Sequence, residues 1–523
     1  MAMAPKVPYA DVWRFLANFL RRSFPADVLT PDNGHHELIP NLVRVIELHL
    51  LDGNQWLQTA VGIVLMLGVI WLGWRIIRTL GDPVQRAAAL LALVMGLLWL
   101  GNERALGHAN ETVHAYSVVL FLVLGISLLT ADRLSWRHVL GAGLCGLAAA
   151  FSFGSGIAVF AAFAAVLFLR RTGPGQWAVL AAAVLATLGL LQWAGSSSGM
   201  PPFAPLQQVR LLLAWLSGPI LYVTWPFLDQ AVAVNVPGPL RPIVVAVADG
   251  MQGRLGPAML PHWPHVLLGV LGLGWYGVAL RSAWRAPSRV SCLGVGLSSF
   301  AVAVAGLIAL VRFSYMQVYP EQLLVPRYVL WSSLFWCGLL LALLGRPKAL
   351  LGAPRLVLLV ALVLLPSQVW MWQLASSMRS VATRTALAAT MGIVDGEERL
   401  GENLPAEIDA AVPLLRDQGK AMFASVSAQW LGHALNGRAG RSIPVEGAVV
   451  VPVHNLIGPN GRRVAFTASA TVSRLLLVDP DGVVRGLAMP DPLQRRGHWI
   501  GWMTGGGANA GIPVVFVVPV GTP

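Results

Sequence analysis

About eleven apolar runs between residues 57 and 374 constrain this chain more than any other feature. They fall near 57–74, 87–101, 115–130, 138–152, 156–169, 177–194, 208–228, 265–280, 290–311, 329–345 and 354–374. A membrane span needs about 20 predominantly apolar residues, with about 17–25 tolerated. A few of the runs are short and must extend into their neighbours. One weaker stretch, LRPIVVAVADGMQG, is broken by Pro242, Asp249 and Gly250 and reads as re-entrant or interfacial. The chain is 56% hydrophobic and only 12% charged, with a mean hydropathy of +0.66. Soluble globules carry about 25% charged residues, so that class is excluded. The expected fold is an all-α polytopic membrane domain of about 11–12 spans over residues 56–374.

The formal charge of +13 would point to nucleic acid in a soluble protein. Here the arginines sit in short turns between apolar runs, the pattern of orientation signals and headgroup contacts, and no nucleic-acid partner is expected. Arg75, Arg78 and Arg86 mark one turn, Arg133 and Arg137 a second, and Arg170 and Arg171 a third. Arg281, Arg285 and Arg289 mark a fourth, and Arg346, Lys348 and Arg355 a fifth. Positive charge favours the cytoplasmic side, so loops 102–114, 153–156, 196–208 and 312–328 are expected outside. The alternation requires an even number of crossings between residues 196 and 264. Either the 240–255 stretch is a span, giving about twelve, or it and the run before it are both re-entrant.

The same parity puts residues 1–55 outside as a first extracytoplasmic loop with amphipathic segments, and residues 375–523 outside as a soluble domain. Tyr9 to Phe24 is interrupted by Asp11, Arg14, Arg21 and Arg22, unlike a secretory signal. The arrangement leads to the expectation of a further span upstream, the alternative being a first span that inserts with its N-terminus outside. Richness in alanine, glycine, leucine and arginine over lysine reads as a GC-rich bacterial genome, hence a multi-pass protein of the bacterial inner membrane. Cys145, Cys292 and Cys337 each lie in an apolar run and read as packing residues, not a disulfide framework.

Past Trp372 the composition becomes mixed. Helical periodicity runs from about Ser376 to Gly401 and from Pro405 to Gly419. Short β-rich runs follow at 448–453, 463–473, 474–479 and 512–518, separated by GPNG and PDG turn signals. A small α+β or β-rich domain is expected. The stretch GHWIGWMTGGGANAG at 497–511 lacks the lysine and strand-then-helix context of a phosphate loop and reads as a loop.

Three polar clusters lie on the expected outer side. PDNGHHELIP places Asp32, His35, His36 and Glu37 ahead of the first apolar run. A carboxylate against a low-dielectric surface is a candidate general base, or a ligand to a divalent metal alongside imidazole; the structural reading is that these residues cap a helix beginning near Leu38. The second cluster holds Asn102, Glu103, Arg104, His108, Asn110, Glu111 and His114, a candidate acceptor or sugar-hydroxyl site, or simply a Glu103–Arg104 pair. The third is RFSYMQVYPEQLLVPRY, with Arg312, Arg327 and Tyr328 at the outer ends of consecutive runs, against the positive-inside tendency. Guanidinium matches phosphate oxygens; the structural reading is pairing with Glu321.

An acidic first outer loop, a long series of spans with short cytoplasmic turns and an outer C-terminal domain together resemble the bacterial integral-membrane glycosyltransferases of the GT-C class. The group includes protein O-mannosyltransferases and lipid A aminoarabinose transferases. The segments FSFGSGIAVFAAFAAVLFLRR and 312–328 also resemble members of this group. The resemblance implies transfer of a sugar from a polyprenyl-phosphate donor to a glycan, lipid or protein acceptor of the cell envelope. It implies Asp32 in the first place, and Glu37 in the second, as base and Arg312 or Arg327, with Tyr328, at the donor phosphate. His35, His36, Glu103, Arg104, His108 and Glu111 would line the substrate site. The chain departs from the pattern in having no paired carboxylates in that loop. A transporter, flippase or polymerase component for lipid-linked saccharide is the rival reading. A transporter should place ionisable groups near the bilayer midplane, whereas these spans are almost free of charge.

Overall fold

The computed structural model describes residues 4–517 except 33, 196–202, 228–232, 234–240, 256–262, 320–321, 324, 347–351, 436–441, 470, 492–496 and 506–512. The chain is predominantly helical and divides into two compact units. One contains residues 29–40 and 59–374, the other residues 2–28, 41–58 and 375–523.

Among the described residues, eight helices are long and apolar enough to cross a membrane. They are Trp56–Ile77, Pro83–Gly107, Ala109–Leu129, Pro174–Trp193, Trp263–Arg285, Arg289–Val311, Pro326–Leu344 and Ala353–Thr390. The protein is thus a multi-pass membrane protein. Three of the apolar runs form shorter pieces. Run 138–152 becomes Trp136–Ala150, run 156–169 becomes Gly154–Leu169, and run 208–228 divides into Pro205–Leu216 and Gly218–Thr224. The last break has a local cause: Pro219 cannot donate to the preceding turn, and a Cβ on Gly218 would lie 2.8 Å from Ser332 Oγ. The 240–255 stretch forms the helix Arg241–Leu255, which is not among the eight.

Helices in lipid gain little from burying apolar surface against each other, so close approach at small residues carries the packing. The Arg289–Val311 and Pro326–Leu344 helices show this. A Cβ on Gly294 would lie 2.5 Å from Gly338 O, and one on Gly338 would lie 2.4 Å from Gly294 O. Gly125 and Gly146 likewise receive the rings of Phe163 and Phe160. Three arginine-bearing turns meet in this unit: Arg289 pairs with Asp132 at 2.7 Å, Arg170 donates to Ala131 O at 2.8 Å, and Arg171 donates to Trp284 O at 3.0 Å. The three cysteines are buried and free.

In the second unit, helix Val12–Leu20 packs Phe15, Leu16 and Phe19 in one core with Ile408, Val412 and Leu415 of helix Pro405–Asp417. Asn403 Oδ1 accepts from Ala10 N–H and Trp13 Nε1–H, and Arg14 pairs with Glu407 at 2.6 Å. The fully buried Glu47 accepts the Leu57 N–H at 2.7 Å, satisfying a donor at the start of helix Trp56–Ile77; burial pushes its carboxyl above the ordinary carboxylate range.

Six antiparallel strands complete this unit: β1 (Glu446–Val453), β2 (Gly461–Thr467), β3 (Leu475–Val478), β4 (Val484–Pro490), β5 (His498–Met503) and β6 (Val514–Val517). Their order is β1-β2-β5-β4-β3-β6. The stretch expected to be a loop therefore contributes β5, which pairs with both β2 and β4. Gly501 is part of the reason: a Cβ there would lie 2.6 Å from Leu487 O, so glycine permits the close strand approach. Residues 506–511 of that stretch are outside the described residues. Asp395 ties sheet to helix end, accepting from Trp502 Nε1 at 3.0 Å and pairing with Arg463 at 3.0 Å.

Candidate functional site

The first cluster folds as a tight turn. Asp32 and His35 exchange backbone hydrogen bonds of 3.0 and 2.8 Å, and Gly34 supplies the left-handed position at φ 78°. Helix Leu38–Leu50 begins where the capping reading placed it. The turn directs His35 onto Phe153, with ring centroids 5.0 Å apart. Gly154 makes room, because a Cβ there would sit 2.3 Å from His35 Nδ1. Arg312 Nη2 lies 3.4 Å from His35 Nε2. A guanidinium only donates, so Nε2 is the acceptor and the imidazole is neutral. Burial holds His35 below its ordinary value of 6.5; Arg312 and His114 add to this, while Glu37 and Asp32 oppose it.

The second cluster meets the first at His114. Its Nε2 is 3.0 Å from Glu111 Oε2 and its Nδ1 is 3.6 Å from Glu37 Oε2. The ring stacks on Phe153 at 4.2 Å and 7°. Arg104 Nε reaches the other oxygen of Glu111 at 3.3 Å. Glu111 and His114 are i and i+3 in the opening turns of the Ala109 helix, one face of it. Thr112 Oγ1 donates to Ala105 O at 2.7 Å, tying the short Glu103–Gly107 helix to this one. Glu103 accepts from Tyr222 OH at 3.2 Å. His108 is buried at the junction of the two helices, and Asn110 is buried one residue into the second.

Of the third cluster, Arg312 joins this site. Among the described residues no carboxylate lies within ion-pair distance of it, and its hydrogen bond is to a neutral imidazole. Arg327 donates to Gln322 Oε1 at 2.9 Å and lies over the Tyr328 ring. Glu321 is outside the described residues. His36 packs against Phe151, is buried, and is held below the usual imidazole range by that burial. Asp32 is buried in the turn.

Four separated segments, 32–37, 104–114, 151–156 and Arg312, thus share one cluster. His114, one of the seven polar residues of the second cluster, is its centre; Phe153 and Gly154, its floor, were not singled out as site residues from sequence. Among the described residues no three His, Cys, Asp or Glu side chains converge as a metal requires. Among the described residues, the side chains do not form a ligand set for the divalent ion considered from sequence.

The His35 geometry predicts a pH effect. Its folded value lies below the unfolded one, so the fold favours the neutral ring. The stability this contributes is complete above about pH 6.5 and is lost as pH falls through the unfolded value toward the depressed one. The thermal midpoint in detergent should therefore drop between about pH 7 and pH 5, and drop less in His35→Gln. Equal acid sensitivity in the two proteins would rule this out.

The chain is a multi-pass helical membrane protein with a buried charged cluster drawn from four separated segments. No protein-family model, curated protein or solved structure matches it.

Proposed function

We propose that this protein is a GT-C-like glycosyltransferase of the bacterial inner membrane. It transfers a sugar from a polyprenyl-phosphate donor to a glycan, lipid or protein acceptor of the cell envelope, with its β-rich domain outside. The observation that carries the reading is the convergence of a carboxylate, Glu37, with an arginine lacking a carboxylate partner among the described residues, Arg312, around His35 and His114. Inverting displacement at a sugar needs one base for the acceptor hydroxyl and cationic or hydrogen-bonding groups for the departing phosphate. Glu37, which sequence reasoning ranked second to Asp32, is taken as the base because its carboxylate faces His114 at 3.6 Å. Arg312 takes the phosphate, and Glu103, Arg104, His108 and Glu111 border the substrate.

The test is transfer in membranes containing the expressed protein, supplied with a panel of radiolabelled polyprenyl-phosphate sugars. The reading expects label in an envelope acceptor, and a fall of about 10–100-fold in Arg312→Gln. Movement of the donor across the bilayer with no glycosidic bond formed would replace it with the transporter reading.

A further inference from the structure

The His114 ring lies between Glu111 and Glu37. Each nitrogen faces a carboxylate oxygen, at 3.0 and 3.6 Å, and Phe153 lies parallel to the ring at 4.2 Å. Glu111 is itself held through its second oxygen by Arg104. A neutral imidazole carries one N–H; its bare nitrogen would then face a carboxylate lone pair. With both carboxylates ionised, only the doubly protonated ring presents a donor to each.

We propose that His114 is the positioning residue for Glu37: an imidazolium clamped between Glu111 and Glu37 that fixes the plane of the Glu37 carboxylate. The inference rests on the transfer reading for what Glu37 does, and on geometry alone for the clamp. In the transfer, the acceptor O–H bond breaks and its proton passes to Glu37 as the acceptor oxygen bonds to the anomeric carbon. The bond from that carbon to the phosphate oxygen breaks, and its electron pair leaves on the phosphate beside Arg312. His114 gains and loses no proton in this step. Arg104 and Glu111 act one contact further out, by holding the ring. The charged and titratable groups acting on His114 include Glu37 and His35 from the first segment and Glu111 from its own helix.

Two measurements separate the clamp from the chemistry. With 15N-labelled histidine in the purified full-length protein, the His114 signals, assigned by their absence in His114→Gln, should report two protonated ring nitrogens at about pH 7. A singly protonated ring overturns the clamp whatever the transfer assay gives. In that assay, loss of orientation should lower kcat about 100-fold in His114→Gln with KM for the donor nearly unchanged. The acid limb of its pH profile should move upward, because buried Glu37 loses its cation. Added imidazole should restore activity to His114→Ala. A fall in kcat with neither profile shift nor rescue, in a protein that melts like the wild type, overturns the positioning role. A doubly protonated ring in a protein that transfers no sugar upholds the clamp while removing the function assigned to it.

Discussion

Glu37→Gln lowers sugar transfer about 10²–10⁴-fold, the range for removing a positioned general base. That corresponds to about 2.7–5.5 kcal/mol of transition-state stabilisation. The amide keeps the volume of the carboxylate, so the packing of segment 32–37 survives while proton acceptance does not. Asp32→Asn is the matched comparison. Asp32 holds His35 through its backbone N–H and carbonyl, bonds that the substitution leaves intact. Its transfer rate should stay within about threefold of wild type, since nothing made only in the transition state is removed. Initial rates at saturating donor decide the matter. The reverse outcome, with Asp32→Asn inactive and Glu37→Gln active, would move the base to Asp32 and leave Glu37 a structural partner of His114.

Valine at Gly294 or Gly338 prevents recovery of the folded protein. A Cβ at either position falls 2.4–2.5 Å from backbone atoms of the facing helix, which cannot rotate aside as a side-chain tip could. Overpacking of a close-packed interior costs about 1–3 kcal/mol, and more where backbone must move. Here the two helices would have to separate along the crossing that seats Ser298 Oγ on Phe335 O at 2.9 Å. Gly306→Val is the control, as a Cβ on Gly306 meets nothing within 4 Å. Monodisperse yield and thermal midpoint in detergent distinguish the cases. A Gly338→Val protein that melts with the wild type would mean the helices do not pack this way.

The membrane helices were legible because a span is a statement about length and polarity, and eight runs became helices of the required kind. What failed was continuity. Hydropathy averages across Ser217-Gly218-Pro219, while the chain breaks there for reasons of backbone donors and a neighbouring Ser332. In the sheet, β1 and β6 were visible as valine-rich runs, whereas β5 was hidden by glycines that serve close strand approach. The site was half legible. Glu37, Glu111, Arg104 and Arg312 stood out as polar groups in apolar surroundings. Which of them meet depends on loops far apart in sequence, and single-sequence reading carries no such information. His114 looked like one polar residue among seven in its loop; its spacing from Glu111 was the signal that set it apart. Phe153 and Gly154 contribute a flat face and an empty volume, neither of which is a chemical motif.

The charged cluster also bears on how the protein is made. Glu37 emerges from the ribosome first, Arg104, Glu111 and His114 about 70 residues later, and Arg312 about 200 residues after those. Until it is paired, a carboxylate or guanidinium at the edge of the bilayer resists leaving water. The Ala109 helix can therefore settle with its acidic and imidazole partners early in synthesis. The His35 side of the cluster stays open to solvent until the Arg289–Val311 helix has been delivered. Assembly of this site is completed late in synthesis, and a chain stalled before residue 312 lacks both Arg312 and the two spans that follow it.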